Sequence, residues 1–160
     1  MRAMGLERAG LRAFDLPVPQ EFAMARFTLD PQLATSTVRV ARWKLSDVLL
    51  STDATYPWLI LVPRRAGVVE LTDLPWADAM VLTAEIRHAS RALTELFAPH
   101  KVNIAAIGNQ VRQLHVHVVA RFPDDPAWPR PIWGAVPRRA YDPAELAGHR
   151  KALARALTQD

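Results

Sequence analysis

The chain has no cysteine. Disulfides, cysteine-rich zinc sites and a cysteine nucleophile are therefore excluded, and a reducing compartment fits. No apolar run reaches membrane-spanning length. The best, Trp58-Leu59-Ile60-Leu61-Val62, is far short of the ~20 residues a spanning helix needs. The opening "MRAMGLERAGLRAF" carries charges where a signal peptide needs an apolar stretch, so a cytoplasmic protein is expected. Phosphate-binding loops of the Gly-x-x-x-x-Gly-Lys-Ser/Thr type are missing, as are Gly-x-Gly-x-x-Gly, Gly-x-Ser-x-Gly and His-Glu-x-x-His. ATP-driven motors, dinucleotide-dependent redox enzymes, esterases of the nucleophile-elbow type and zinc proteases lose their support.

What remains is 160 residues, half of them apolar, enough for one domain with a core and too apolar for general disorder. Lysine and arginine number 20 against 16 acids, a net charge of +4. The excess suggests an anionic partner. Its arginines gather only in pairs, Arg64-Arg65 and Arg138-Arg139, with no polybasic run. A small nucleotide fits this balance; a nucleic acid is not expected, nor is a membrane.

Along the chain, "DLPVPQEF" reads as extended because of its two prolines. "STVRVARWKL" alternates as an edge strand would, and "SDVLLST" and "YPWLILVPRR" read as two strands joined at "TDAT" and ended by Pro63. The segment from Leu71 to His100 predicts a long helix. Thr72 or Asp73 would cap it, Pro75 would sit in its first turn and Pro99 would close it. Its apolar face would carry Trp76, Met80, Leu82 or Ala84, Ile86, Ala89, Leu93 and Leu96-Phe97. His88 on this helix reads as a surface histidine within reach of Glu85. "KVNIAAIGN" and "VRQLHVHVVARF" predict an antiparallel hairpin turning at Gly108-Asn109. The proline- and tryptophan-rich stretch after it is irregular. "DPAELAGHRKALARALTQ" predicts a terminal helix capped by Asp142, with His149 exposed.

The chemistry concentrates in "QLHVHVVARF". In a strand, Gln113, His115 and His117 share one face, and Leu114, Val116 and Val118 the other. The apolar row suits burial under helices. Three polar groups in a row are costly to bury unpaired and suit the lining of a site. Three readings follow. Two histidines two apart on a strand can bind zinc, but a catalytic zinc needs a third ligand and Gln113 is a poor one, leaving His100 or an acid to supply it. The pair can also be structural, satisfied by neighbours. Or one imidazole acts as a nucleophile at phosphorus, one nitrogen aimed at the substrate and the other hydrogen-bonded to fix the tautomer. Amide side chains and the backbone near Gly108 would then cradle the phosphate. Trp58, Trp128 and Trp133 either stack on a base or fill the core.

The same residues resemble the histidine triad (HIT) superfamily. "QLHVHVVAR" is similar to its His-φ-His-φ-His-φ-φ signature, φ being apolar, with Gln113 in place of the first histidine. "NIAAIGNQV" resembles the Asn…Gly-Gln-x-Val segment ahead of it, and "WLILVPRR" the family's His-x-Leu-Val-x-Pro strand with Trp58 where histidine is usual. "LTDLPWADAMVLTAEI" resembles its helix start, without the usual glutamate. The likeness runs over roughly residues 45 to 122, and "DPAWPRPIWG" looks like an extension of a bacterial branch that also carries Gln first.

The resemblance implies an α+β fold, a roughly five-stranded antiparallel sheet with one long helix and a C-terminal helix. It implies an N-terminal extension over 1–20, a HIT-like domain over 21–125, and a Pro/Trp-rich segment with the terminal helix over 126–160. It implies a homodimer and a nucleotide hydrolase or nucleotidyl transferase acting at an α-phosphate, without cofactor or metal, with diadenosine polyphosphates or nucleoside phosphoramidates as substrates; a weakly catalytic nucleotide-binding module is the alternative. By position His115 would be the nucleophile, His117 would contact the phosphoryl oxygens, and Gln113 would lend its backbone carbonyl to fix the His115 tautomer. Asn103, Asn109 and Gln110 would orient the phosphate and leaving group, and Asp53 would hold the ribose hydroxyls.

Overall fold

The structure is a computed structural model that describes residues 26–158; the expected extension over 1–20 and the "DLPVPQEF" stretch lie outside the described residues. Helix α1 (Pro31–Ser36) leads into strand β1 (Thr37–Arg42), β2 (Ser46–Ser51) and β3 (Trp58–Pro63). Helix α2 (Trp76–Phe97), β4 (Lys101–Ala105), β5 (Val116–Arg121) and helix α3 (Pro143–Ala156) follow. The five strands form one antiparallel sheet in the order β1-β2-β3-β5-β4. This is the expected α+β architecture with its long helix and terminal helix.

The apolar row of β5 does what its sequence demands. Leu114, Val116 and Val118 join Val48, Leu50, Leu59 and Leu61 in one core cluster with Leu82, Ala89 and Leu93 of α2 and Leu153 of α3. Each fully buried Val or Leu side chain among them contributes about 1.5–3 kcal/mol. The opposite face is also covered. Leu33 of α1 packs on Leu49, Ile60 and Val62, and Ile132 and Ala127 pack on Tyr56 and Val119. Every residue of β5 is buried. The face expected to lie open is therefore a lined interior, because α1 and the segment beyond β5 close over it.

Local signals explain most ends. Asp30 caps α1 by accepting from the Gln32 N–H, with Pro31 in the first turn. Asp142 caps α3 through the Ala144 and Glu145 N–H groups. Ala98 ends α2 in the left-handed region at φ 44°, its N–H donating to the Thr94 carbonyl, and Pro99 blocks continuation. The start of α2 differs from expectation. Pro75 occupies its N-cap, and the Asp73 carboxylate instead accepts from the Val69 and Glu70 N–H groups around a short 3-10 turn at Leu71–Asp73.

The helix face also differs. Trp76 and Met80, expected inside, are 73% and 52% exposed. The buried stripe is Leu82, Glu85, Ala89, Ala92 and Leu93. Small alanines let α2 approach the sheet, and Glu85 enters the interface because its carboxylate accepts from the Leu45 N–H at 2.9 Å and the Ser46 N–H at 3.1 Å. Glu85 therefore serves the turn between β1 and β2 rather than His88. His88 is half-buried, edge-on to Trp43 with ring centroids 4.9 Å apart. His149 is likewise half-buried, against Phe97 and Tyr141.

Candidate functional site

The strand ladder begins at Val116, later than the sequence row suggests. The Leu114 N–H donates to the Val68 carbonyl, so residues 113–115 form an approach to the strand held against the loop after β3. Gln113 does not extend the polar row across the sheet. Its Oε1 accepts from the Asp30 N–H at 3.0 Å and its Nε2 donates to the Thr28 carbonyl at 2.9 Å, pinning the lead into α1.

His115 and His117 still converge. Their rings stand nearly perpendicular, centroids 4.8 Å apart, and both side chains are buried. His115 Nδ1 lies 2.7 Å from the backbone carbonyl of Gln113. A carbonyl only accepts, so Nδ1 carries the proton and Nε2 keeps a lone pair in the neutral ring. This is the tautomer a nucleophilic imidazole needs, and main chain supplies it.

His117 is fixed the other way. The indole Nε1–H of Trp58 donates to His117 Nδ1 at 3.1 Å, so the proton of the neutral ring sits on Nε2. Register explains the meeting. Ile60 pairs with His117 and Trp58 with Val119, so Trp58, Ile60 and His117 rise from the same face. Trp133, from the segment beyond β5, closes on both, 5.4 Å from the His117 ring and 6.4 Å from that of Trp58. Burial and the neighbouring His115 push the His117 pKa down to about 3, against a smaller upward effect of the Ile107 carbonyl. His117 is thus a neutral imidazole through the physiological range.

These rings border a cavity of about 510 Å³. Ile60 and Leu33 give it an apolar wall, Asp53 and Arg138 stand at its wall as charged groups, and Asn109 and Gln110 edge it from the β4–β5 loop. Asp53 is buried, its Oδ1 accepting from the Thr55 N–H, the Thr55 hydroxyl and the Arg139 N–H. A bridge between Asp53 and Ala140 and a hydrogen bond from Arg138 to the Thr52 hydroxyl bind the post-β5 segment to the β2–β3 turn. His115 also borders a second cavity of about 410 Å³ on the other flank of the β4–β5 loop, with Gly108, Arg112 and Glu70. A Cβ on Gly108 would meet the Val111 carbonyl at 3.1 Å, so the loop is tight there.

Of the expected residues, His115, His117, Asp53, Asn109 and Gln110 come together around one cavity. Gln113 does not line it: its carbonyl meets the His115 ring, its side chain turns to residues 28–30, and it borders the second cavity instead. Asn103 does not line it. Its Oδ1 accepts from Arg121 Nη1 at 2.8 Å, where the buried Arg121 also binds Asp125. Trp128 belongs to that cluster too, 5.7 Å from the guanidinium. Among the described residues no group of three or more histidine, aspartate or glutamate side chains is placed to hold a metal ion, and no helix is long and apolar enough to cross a membrane.

Sequence reasoning missed the hydrogen bond from Trp58, the covering role of Trp133 and the place of Arg138. The signal for Trp58 was its alternation with Ile60, but the pairing with β5 that puts it beside His117 is non-local. Trp133 and Arg138 lie in a stretch without periodicity, which carries no register to read.

Comparison with known proteins places the fold. The HIT domain family model matches residues 33–124, more than half of the chain. A histidine triad protein from Bradyrhizobium japonicum is 44% identical, with 84% of this chain and 100% of that one covered at a TM-score of 0.82. One from Marinobacter aquaeolei VT8 is 41% identical, covering 83% and 97% at 0.81. One from Sinorhizobium meliloti 1021 is 37% identical, covering 81% and 96% at 0.79. No curated protein matches the chain. By sequence and by fold, the chain belongs to the histidine triad (HIT) family.

Proposed function

We propose that the protein is a nucleotide hydrolase or nucleotidyl transferase that attacks the α-phosphate of a nucleotide conjugate through a covalent intermediate on His115. Dinucleoside polyphosphates and nucleoside phosphoramidates are the substrate classes. The observation that carries this reading is the 2.7 Å hydrogen bond from His115 Nδ1 to the Gln113 carbonyl, which leaves Nε2 as a lone-pair donor beside the cavity.

The other groups take roles by position. His117 Nε2–H and the Asn109 and Gln110 amides contact the phosphoryl oxygens. Asp53 holds the ribose hydroxyls, the base rests against the apolar wall that Leu33 and Ile60 form together, and Arg138 adds a positive charge to the cavity wall. Asn103 is committed to Arg121 and is left out of the ligand set. A homodimer and a cytoplasmic location complete the reading; the homodimer is supported by the outer edge of β4, which has no strand partner among the described residues and where Ile104 is 52% exposed.

The test is nucleoside monophosphate release from a diadenosine polyphosphate and an adenosine phosphoramidate, wild type against His115→Ala. Release that falls at least ~10³-fold in the variant supports the nucleophile. Equal rates in both proteins remove it. A second reading, a nucleotide-binding module with little turnover, draws on the uncharged state of His117 and the diversion of the Gln113 amide from the cavity. It predicts nucleotide binding by calorimetry with no monophosphate released.

A further inference from the structure

The proposed chemistry leaves open which bond at phosphorus the site is built to break, and the two histidines bear on that choice. We infer that Trp58 is a positioning residue that locks His117 as an Nδ1-accepting, Nε2–H imidazole, and that this selects substrates with anhydride leaving groups over those with amine leaving groups. The inference rests on the reading of His115 as nucleophile.

The geometry supplies the argument. The indole N–H of Trp58 has no acceptor character, so the 3.1 Å contact to His117 Nδ1 forces that nitrogen to accept. Protonating His117 there would set an N–H against an N–H. The ring is further enclosed by Trp133 and His115, and that burial, with the neighbouring His115, independently disfavours a second proton on it. The groups facing His117 are His115 from its own segment, Trp58 from β3, Trp133 from beyond β5 and the Ile107 carbonyl. The charged side chains on the cavity wall are Asp53 and Arg138. Arginine does not give up its proton in a protein, and Asp53 is an acceptor for Thr55 and Arg139. Gln113, Asn109 and Gln110 are amides. Among the described residues the site thus holds donors of hydrogen bonds but no ready donor of a proton.

Leaving groups differ in what they ask of such a site. The His115 Nε2 lone pair forms a bond to the α-phosphorus as the bond to the leaving atom breaks. In an anhydride the electron pair departs on a phosphate oxygen, which is stable as an anion and needs no proton. In a phosphoramidate it departs on nitrogen, which must take up a proton as it leaves. A neutral imidazole N–H is a far weaker acid than an imidazolium, whose reference pKa is about 6.5. Water then attacks phosphorus, the phosphorus–nitrogen pair returns to Nε2, and a water proton passes to solvent. That second step is common to both substrates, so the difference lies in the first.

Two measurements on the intact protein test this. The first is the histidine tautomer by ¹⁵N NMR of ¹⁵N-histidine-labelled wild type, with His117 assigned by comparison with His117→Gln. A His117 ring protonated on Nε2 and not on Nδ1 from pH 8 down to about pH 5 is expected; an Nδ1 proton overturns the role of Trp58. The second is the ratio of kcat/KM for a diadenosine polyphosphate over adenosine phosphoramidate, in wild type and in Trp58→Phe, which keeps a ring but loses the donor. General acid assistance typically provides 10²–10⁴-fold, so a wild-type ratio of about 100 or more is expected, falling about tenfold in the variant. A ratio near one, or one unchanged in a folded Trp58→Phe, overturns the selection. No release from either substrate, with the expected tautomer, overturns the enzyme reading and the preference with it, while the tautomer assignment stands.

Discussion

Arg121→Met tests how the segment that carries Trp133 is held over the site. The guanidinium is 1% exposed. Its Nε and Nη2 donate to the Asp125 carboxylate at 2.7 and 3.0 Å, Nη1 donates to Asn103, and Nη2 donates to the Arg130 carbonyl at 3.0 Å. Methionine fills much of the stem's volume and supplies none of these donors. Asp125 is left buried with only the Phe122 and Ala127 N–H groups. Removing one partner of a buried pair costs about 3–5 kcal/mol. In a domain of this size that lowers the melting midpoint by about 10 °C. Adding Asp125→Asn removes the stranded charge, so the double variant recovers part of the loss. Calorimetry and urea titration at pH 7 measure both steps. A loss below ~1 kcal/mol for Arg121→Met would place the pair among surface-like ion pairs and refute the reasoning.

The same pair has a pH signature. Burial pushes the Asp125 carboxyl up, but the Arg121 guanidinium and the two N–H groups outweigh it and hold the pKa below its ordinary value. A carboxyl depressed in the folded state binds fewer protons there than in the unfolded chain. Its contribution is complete above the ordinary carboxylate range and is lost as pH falls through the lowered pKa. The stability gap between wild type and Arg121→Met should therefore narrow from about pH 5 downward. A gap that widens with acid contradicts the assignment.

Two further variants separate side-chain from main-chain roles. Glu85→Ala strands the Leu45 and Ser46 N–H groups under α2 and should cost about 2–5 kcal/mol in urea titration, since each unsatisfied buried donor costs about 1–3 kcal/mol. Gln113→Ala keeps the carbonyl that orients His115 and loses both contacts to residues 28–30. It should change kcat by less than about tenfold and raise amide hydrogen exchange in α1; a kcat loss as large as that of His115→Ala would return the Gln113 amide to the chemistry.

Much of the fold was legible because its signals are local. "WLILV" is an unbroken apolar run and becomes the central strand β3, buried throughout except for Trp58. Asp142-Pro143 and Ala98-Pro99 mark helix ends by chemistry within a few residues. Helix α1 escaped notice because its six residues hold a single buried apolar side chain, Leu33, too short a span for any period to show. Non-local partners set what was misread. Period-two alternation runs back to Gln113, yet the ladder stops at Val116 because Leu114 and Gln113 find partners in Val68, Thr28 and Asp30. Alternation still delivered His115 and His117 to one cavity. Glu85 stands three residues from Leu82 and four from Ala89, on the core stripe, but its acceptor role depends on a turn forty residues earlier.

The amide at position 113 suits what its side chain has to address. His115 needs only the main-chain carbonyl of residue 113, so the side chain there is free of that duty. The two backbone groups it meets, the Thr28 carbonyl and the Asp30 N–H, belong to one short segment and require a donor and an acceptor side by side. A carboxamide presents N–H and C=O from the same end, as a peptide group does. The nitrogens of an imidazole diverge, and a carboxylate cannot donate to Thr28. Glutamine therefore fixes the lead into α1, and α1 sets Leu33 in the cavity wall. The Gln113 side chain thus shapes the pocket indirectly, through α1. Together with Trp58 on His117, this leaves His115 as the ring of the two whose Nε2 lone pair meets no protein donor among the described residues; on the function proposed above, any proton the reaction needs then comes from the leaving group's own chemistry or from solvent.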